Sequence, residues 1–330
     1  MVNMKRTIYI LLACLPLVSC YDDYVKDFDM QAVGFANATD VRSVVVGESN
    51  SFRTGVALGG VINNDMDRPV DFSVDYSLVN AETYSKFKSH TFSYISALFR
   101  DVPSIEALPA SMYSLLTPGK EGGRTVVKAG SHVGEIRIDL APSFLEDNAN
   151  IFPHYVIPLR ISDAHGTQVM VGHESSVIGV RFECMLFGSW WHGGEMTITD
   201  DGGNVLEKKT FYTEIPEPDT RVWTLTTVGA KRVSANAVGD ELNGTKAQMS
   251  LTLGDNGQIS VSAVPGADYV VEQDGECRYN QARLLQDRKL FLQYKYTKDG
   301  KVCHVKDTLT FRNRIRDGVN EWQDENKENY

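Results

Sequence analysis

Apolar and polar residues alternate with period two along most of this chain. In "VDFSVDYSLV", Val70, Phe72, Val74, Tyr76 and Leu78 fall on one face, the signature of a half-buried strand. "DVRSVVVG" and "SFRTGVALGG" alternate and stop at Gly47 and at Gly59-Gly60; "GEIRIDLAP" and "HYVIPLRISDAHG" read as later strands. Pro158 in the last of these predicts an edge position or a bulge, because proline donates nothing to a ladder. One stretch breaks the pattern. After Asn80, a candidate N-cap, Phe87, Tyr94, Ile95, Leu98 and Phe99 lie on one helical face, and Pro103 follows. The spacing predicts one helix over 81–100, its aromatic stripe packed into a core.

From "GVRFECMLFG" onward the strands are joined by short polar turns. Asp255-Asn256-Gly257 and Asp299-Gly300 sit between alternating runs, and Asp-Gly suits a type I′ hairpin. A two-residue loop at 299–300 pairs Lys298 with Lys301, Tyr296 with Cys303, Tyr294 with Val305 and Leu290 with Leu309. This face is apolar except for Asp307, opposite Leu292. Consecutive hairpins predict an antiparallel, lipocalin-like barrel or a meandering sandwich. The fold class is mainly β, in two units over 32–175 and 176–325.

The first residues follow another rule. Lys5 and Arg6 precede an apolar run, Thr7 to Val18, too short for a membrane span of ~20 residues. The run ends in Leu17-Val18-Ser19-Cys20, which resembles the bacterial lipobox. That resemblance implies cleavage of a signal peptide, 1–19, acylation of Cys20, and stable anchoring in outer-membrane lipid by several acyl chains. An acidic tether over 20–31 follows. Asp22 and Asp23 within it resemble the surface-export signal of Bacteroidetes lipoproteins, which implies an outer-membrane location facing outward.

The formal charge is −10, from 43 acids and 33 bases; losing Lys5 and Arg6 with the leader takes it to −12. Nucleic acid and anionic lipid need a basic footprint, so neither is an expected partner. Cys184, Cys277 and Cys303 allow at most one disulfide.

No GxSxG, HExxH, Walker-type or GxGxxG pattern occurs, so no catalytic residue, cofactor or metal is assigned. His165 and His173, eight apart, are read as surface histidines. The aromatic residues are more informative, because sugar rings present apolar faces that tryptophan can stack on. Trp190 is in phase with Met196 and Ile198 and points inward; Trp223 is in phase with Leu225. Trp191 is in phase with Thr197 and Thr199 and points outward. Trp191, His192 and Trp322 are the candidate glycan contacts. Arg312, Arg314 and Arg316 alternate along the last strand as a candidate docking patch for an acidic glycan or a partner subunit.

Longer stretches carry a family likeness. "VALGGVINND" through "LPASMYSLL", "VVKAGSHVGEIRIDLAPSFLEDN" and "HYVIPLRISDAHG" resemble an immunoglobulin-like domain of unknown function in Bacteroidetes surface lipoproteins, one that also precedes glycosidase-like modules. "FGSWWHGG", "VWTLTTVG" and "KDTLTFRNRIRDGVNEW" resemble the β domain of unknown function that usually follows it. The resemblance implies a non-catalytic accessory lipoprotein of a starch-utilisation-type glycan uptake system. Its partners would be a glycan and the pair formed by a transporter and its glycan-capture lipoprotein. A docking subunit without a sugar site and an atypical glycoside hydrolase are the alternatives.

Overall fold

The computed structural model describes residues 28, 30–117, 120–121, 123–211, 221–242 and 246–324. Alternation in the first half produces two packed sheets. One runs in the order 168–169, Ala32–Phe35, Ser51–Gly59, Val133–Leu140, Tyr113–Thr117, 120–121. The other runs Thr39–Val46, Ser175–Cys184, Tyr155–Asp163, Arg68–Val74, Arg124–Val127. Val33, Phe35, Val56, Ile136 and Ile138 of the first meet Val44, Phe72, Leu159, Ile178 and Phe182 of the second in a closed core.

The second sheet is buried on both faces. Val41, Val156 and Val177 point away from the sandwich and receive Phe87, Ile95 and Phe99 from the helical insertion. This explains why the strand 175–184 is buried at nearly every position, the polar Ser176 and Glu183 included. The insertion is two helices, Ala81–Lys88 and Ser93–Leu98, rather than one. Asn80 caps the first, its Oδ1 accepting from Thr83 N at 3.0 Å. The break falls at Ser89-His90, where Ser89 Oγ bonds back to Ser85 O and His90 Nδ1 accepts from Phe92 N. Side chains that bond to nearby backbone compete with helix continuation. The turn brings Phe87 and Phe99 into a stack with centroids 4.2 Å apart.

Pro158 is neither at an edge nor in a bulge. It pairs with Val177 inside a central strand, and its carbonyl accepts from Asp75 N just before pairing with the strand 68–74 begins. The missing N–H therefore falls in a gap between neighbours. The strand 175–184 hydrogen-bonds into the sandwich, so the two sheet systems part at 185–187 and not at 175/176.

The second half closes into an eight-stranded antiparallel barrel. The order is Gly188–Thr199, Arg221–Gly229, Arg232–Ala235, Met249–Leu253, Ile259–Ala263, Val271–Gln273, Lys289–Lys298, Lys301–Arg316, and back to Gly188–Thr199. The 299–300 hairpin has the predicted register throughout. Asp299 and Gly300 both have positive φ, as a type I′ turn requires. A further Asp-Gly turn at 317–318 carries the strand Val319–Glu321. Trp190, Trp223, Leu225, Tyr294 and Leu309 fill the interior. Cys184, Cys277 and Cys303 are buried free thiols. No helix among the described residues is long and apolar enough to cross a membrane.

Candidate functional site

Where the barrel abuts the sandwich, a cleft of about 710 Å³ opens. The turn between strands 39–46 and 51–59 forms one wall, with Gly47, Glu48 and Ser49. The loop and strand residues Asn256, Tyr279, Arg283 and Arg288 form the other, and Arg316 reaches in from the last barrel strand. A hollow of about 320 Å³ shares Glu48 and Arg316 with this cleft and continues to Trp322 and Asp324.

An ion chain organises the seam. Glu48 Oε1 accepts from Arg288 at 2.7 Å and from Arg314 at 2.8 Å, and Glu48 Oε2 accepts a second bond from Arg314 at 2.8 Å. Arg314 Nε donates to Glu321 at 2.5 Å, and Arg316 Nε donates to the same carboxylate at 2.8 Å. Arg316 also donates to Ser43 O, and Asp317 accepts from Ser43 N and Oγ. Burial pushes the Glu48 carboxyl up, but the fork and charge of Arg314, with Arg288, outweigh it and hold Glu48 below its ordinary 4.5. Glu321 is likewise held down: burial opposes, and Arg316 and Arg314 prevail. Arg288 is 2% exposed, and its Nε has no hydrogen-bond partner among the described residues.

The arginine patch is therefore corrected. Only Arg312 is exposed; Arg314 is buried and Arg316 is half-buried in the seam. The cause is a bulge. Ser189 pairs with Asn313 but Trp190 pairs with Phe311. Arg312 is thus the extra residue, and the alternation beyond it inverts. Arg314 turns in, and Ile315 turns out with 63% exposure.

The three candidate glycan contacts separate. Trp191 is half-buried on the outer wall of the barrel, with the Arg312 guanidinium 5.0 Å from its ring centre. Trp322 is 55% exposed beside the seam. His192 is not a surface contact. It lies in the barrel, 1% exposed, stacked on Trp223 at 4.5 Å, with Nε2 2.8 Å from Asp307 Oδ1. Tyr294 donates to Asp307 Oδ2 at 2.6 Å, which accounts for the acid on the apolar face. Burial first, then the Asp307 charge, push the Tyr294 hydroxyl far above its ordinary value. Cys20, Asp22 and Asp23 lie outside the described residues.

His165 and His173 have separate partners. His165 Nε2 meets Asp71 at 2.8 Å in a group with Asp163, and His173 meets Phe35 O. Arg124 grips both Asp71 oxygens, and this is the main cause holding the Asp71 carboxyl at about 2. The guanidinium thus sits where a cation would compete for Asp71.

The molecule is thus a two-part β protein, a sandwich and a closed barrel, with a cleft of mixed polar and apolar lining where they meet. A family model described as "-like, N-terminal domain" matches residues 24–168. No curated protein matches the sequence. A crystal structure of a protein of unknown function from Bacteroides ovatus matches with TM-score 0.61 at 18% identity, over 90% of this chain and 99% of its own, and shows that the fold is shared. A second protein of unknown function from Bacteroides ovatus matches with TM-score 0.45 at 15% identity, over 89% and 100%. An auxiliary nutrient binding protein from Bacteroides thetaiotaomicron matches with TM-score 0.39 at 15% identity, over 87% and 96%.

Proposed function

We propose that the protein binds an oligosaccharide or polysaccharide without cleaving it, and that the sugar lies in the cleft between sandwich and barrel. The observation that carries this reading is the cleft itself. It has the size of a small-ligand site, about 710 Å³. Polar groups and Tyr279 line it, and it runs on to an exposed Trp322 that can stack on a sugar face. The contact therefore moves from Trp191, whose ring already faces a guanidinium, to Trp322. One feature favours binding over hydrolysis: glycoside hydrolysis needs a pair of carboxyls, one raised to donate a proton, whereas Glu48, the carboxylate that lines the cleft, is held below its ordinary value by arginine.

The setting belongs to the same proposal. Cys20 is acylated, Asp22 and Asp23 address the chain to the outer face of the outer membrane, and the protein serves a glycan uptake complex there. Affinity electrophoresis of the mature chain against a polysaccharide panel tests the sugar site. Trp322→Ala should weaken retardation roughly tenfold to hundredfold, as loss of one stacking ring does, while Trp191→Ala leaves it unchanged. If no polysaccharide retards the parent chain, the docking-subunit reading replaces this one. A Cys20→Ala chain should no longer incorporate labelled fatty acid; continued labelling would refute the anchor.

A further inference from the structure

We infer that the cleft takes uncharged stretches of glycan, without carboxylate or sulfate groups; this rests on the glycan-binding reading above and names its substrate class. The cleft and the hollow beside it are rich in charge, yet that charge is cancelled within the protein. Both oxygens of Glu48 are engaged, by Arg288 and Arg314. Arg316 donates through Nε and a terminal nitrogen to one oxygen of Glu321, and Arg314 Nε donates to the other. Asp324, at the far end of the hollow, accepts from Leu285 N at 2.7 Å. Neither Asp324 nor the exposed Arg283 is without a further partner. Opposite charges thus alternate along the wall, and each offsets its neighbour's field in the opening.

A charged sugar gains little from such a wall. To take a guanidinium of the ion chain, its carboxylate or sulfate must displace Glu48 or Glu321, and parting a buried pair strands a charge. The orphaned Nε of Arg288 is sealed from solvent and offers an anion no handle. A hydroxyl meets no such conflict, because it both donates and accepts. Arg316 and Glu321 line the hollow and are partly exposed there. After their mutual bonds, one keeps N–H groups to donate and the other keeps lone pairs to accept. The fork between them holds both planes in place. Trp322 follows Glu321 directly and is exposed in the same hollow. A ring for the apolar face of a sugar, beside a fixed donor and a fixed acceptor, matches an uncharged pyranose.

The test uses the mature chain in affinity gels and calorimetry with five probes: dextran, galactomannan, amylopectin, polygalacturonate and dextran sulfate. The expected result is binding of at least one of the first three, roughly tenfold or more tighter than either anionic polymer. Between about 50 mM and 500 mM salt that affinity should change by less than about twofold, since no net charge is being paired. Trp322→Ala should weaken it. Glu321→Gln keeps the shape but frees the charge of Arg316, so it should raise the affinity for dextran sulfate or polygalacturonate roughly tenfold, in a salt-sensitive way. Equal or tighter binding of an anionic polymer by the parent chain would overturn the selection while leaving the glycan reading in place. So would uncharged binding that falls steeply with salt. A folded Glu321→Gln chain with no gain for the anionic polymers would show that charge cancellation is not the cause, and would overturn the inference on its own. Binding of none of the five would overturn both readings.

Discussion

Three adjacent residues, Trp190, Trp191 and His192, show how far a single position can be read. Period-two counting places Trp190 inside and Trp191 outside, and the structure agrees: Trp190 is 0% exposed and Trp191 half-buried on the outer wall. Trp190→Ala should cost ~3–5 kcal/mol in urea unfolding, as large-to-small core changes do. Trp191→Ala should cost at most about 1 kcal/mol, the strength of its contact with Arg312. The same count puts His192 inside, in phase with Trp190 and Met196. Its chemistry, a polar ring beside two tryptophans, obscured that parity. What made the interior tolerable was an acid 115 residues away, and no local pattern announces such a partner. Asp307→Ala should therefore cost about 3 kcal/mol or more, since it strands His192 and the Tyr294 hydroxyl in the core. Replacing all three by apolar residues should recover much of the loss.

At the scale of elements, turns were more legible than distortions of strands. The 299–300 hairpin and its register follow from Asp-Gly and alternation alone. The Asp317-Gly318 turn carried the same signal and was missed because Arg312, Arg314 and Arg316 appeared to form one continuing ladder. The Arg312 bulge and the helix break at Ser89-His90 left no mark in the periodicity, since each is settled by what packs opposite. Gly194 is another such place. Its φ is +130°, and an added Cβ would stand 2.1 Å from Lys306 O, whereas Gly300, at +70°, has open space. Gly194→Ala should cost about 1–3 kcal/mol or more and Gly300→Ala less. Paired thermal melts distinguish them; equal losses would mean that the close approach across the first and last barrel strands does not matter.

For the whole molecule, composition and strand count delivered a mainly β chain, but nothing in the sequence pointed to the seam. Its partners, Glu48 and Arg314, are 266 residues apart, and a lone glutamate in a turn looks like any solvated one. The seam should depend on pH. Glu48 and Glu321 have folded values below 4.5, so their contribution is complete above that value. It fades as pH falls through 4.5 toward the folded values. At neutral pH, Glu48→Gln should destabilise the chain by about 3–5 kcal/mol, because Arg288 and Arg314 stay buried without their partner. The gap between variant and parent should narrow steadily in melts taken at successively lower pH. A gap independent of pH would show that the charge of Glu48 is immaterial.

The strand Lys301–Arg316 seals the barrel against Gly188–Thr199 and then carries Arg314 and Arg316 to the turn at Glu48. Synthesis therefore delivers the closing piece after the other seven barrel strands. Until it emerges, seven barrel strands have an open edge, and the first sandwich turn holds a carboxylate with no guanidinium to meet. Long-separation pairings of this kind are slow to form, so a ribosome-bound chain passes through a stage in which a finished sandwich trails an unsealed sheet. Unpaired edges recruit other chains. Nascent chains halted before Lys301 should accordingly be the species that chaperones hold, and those released beyond Glu321 the first to escape them.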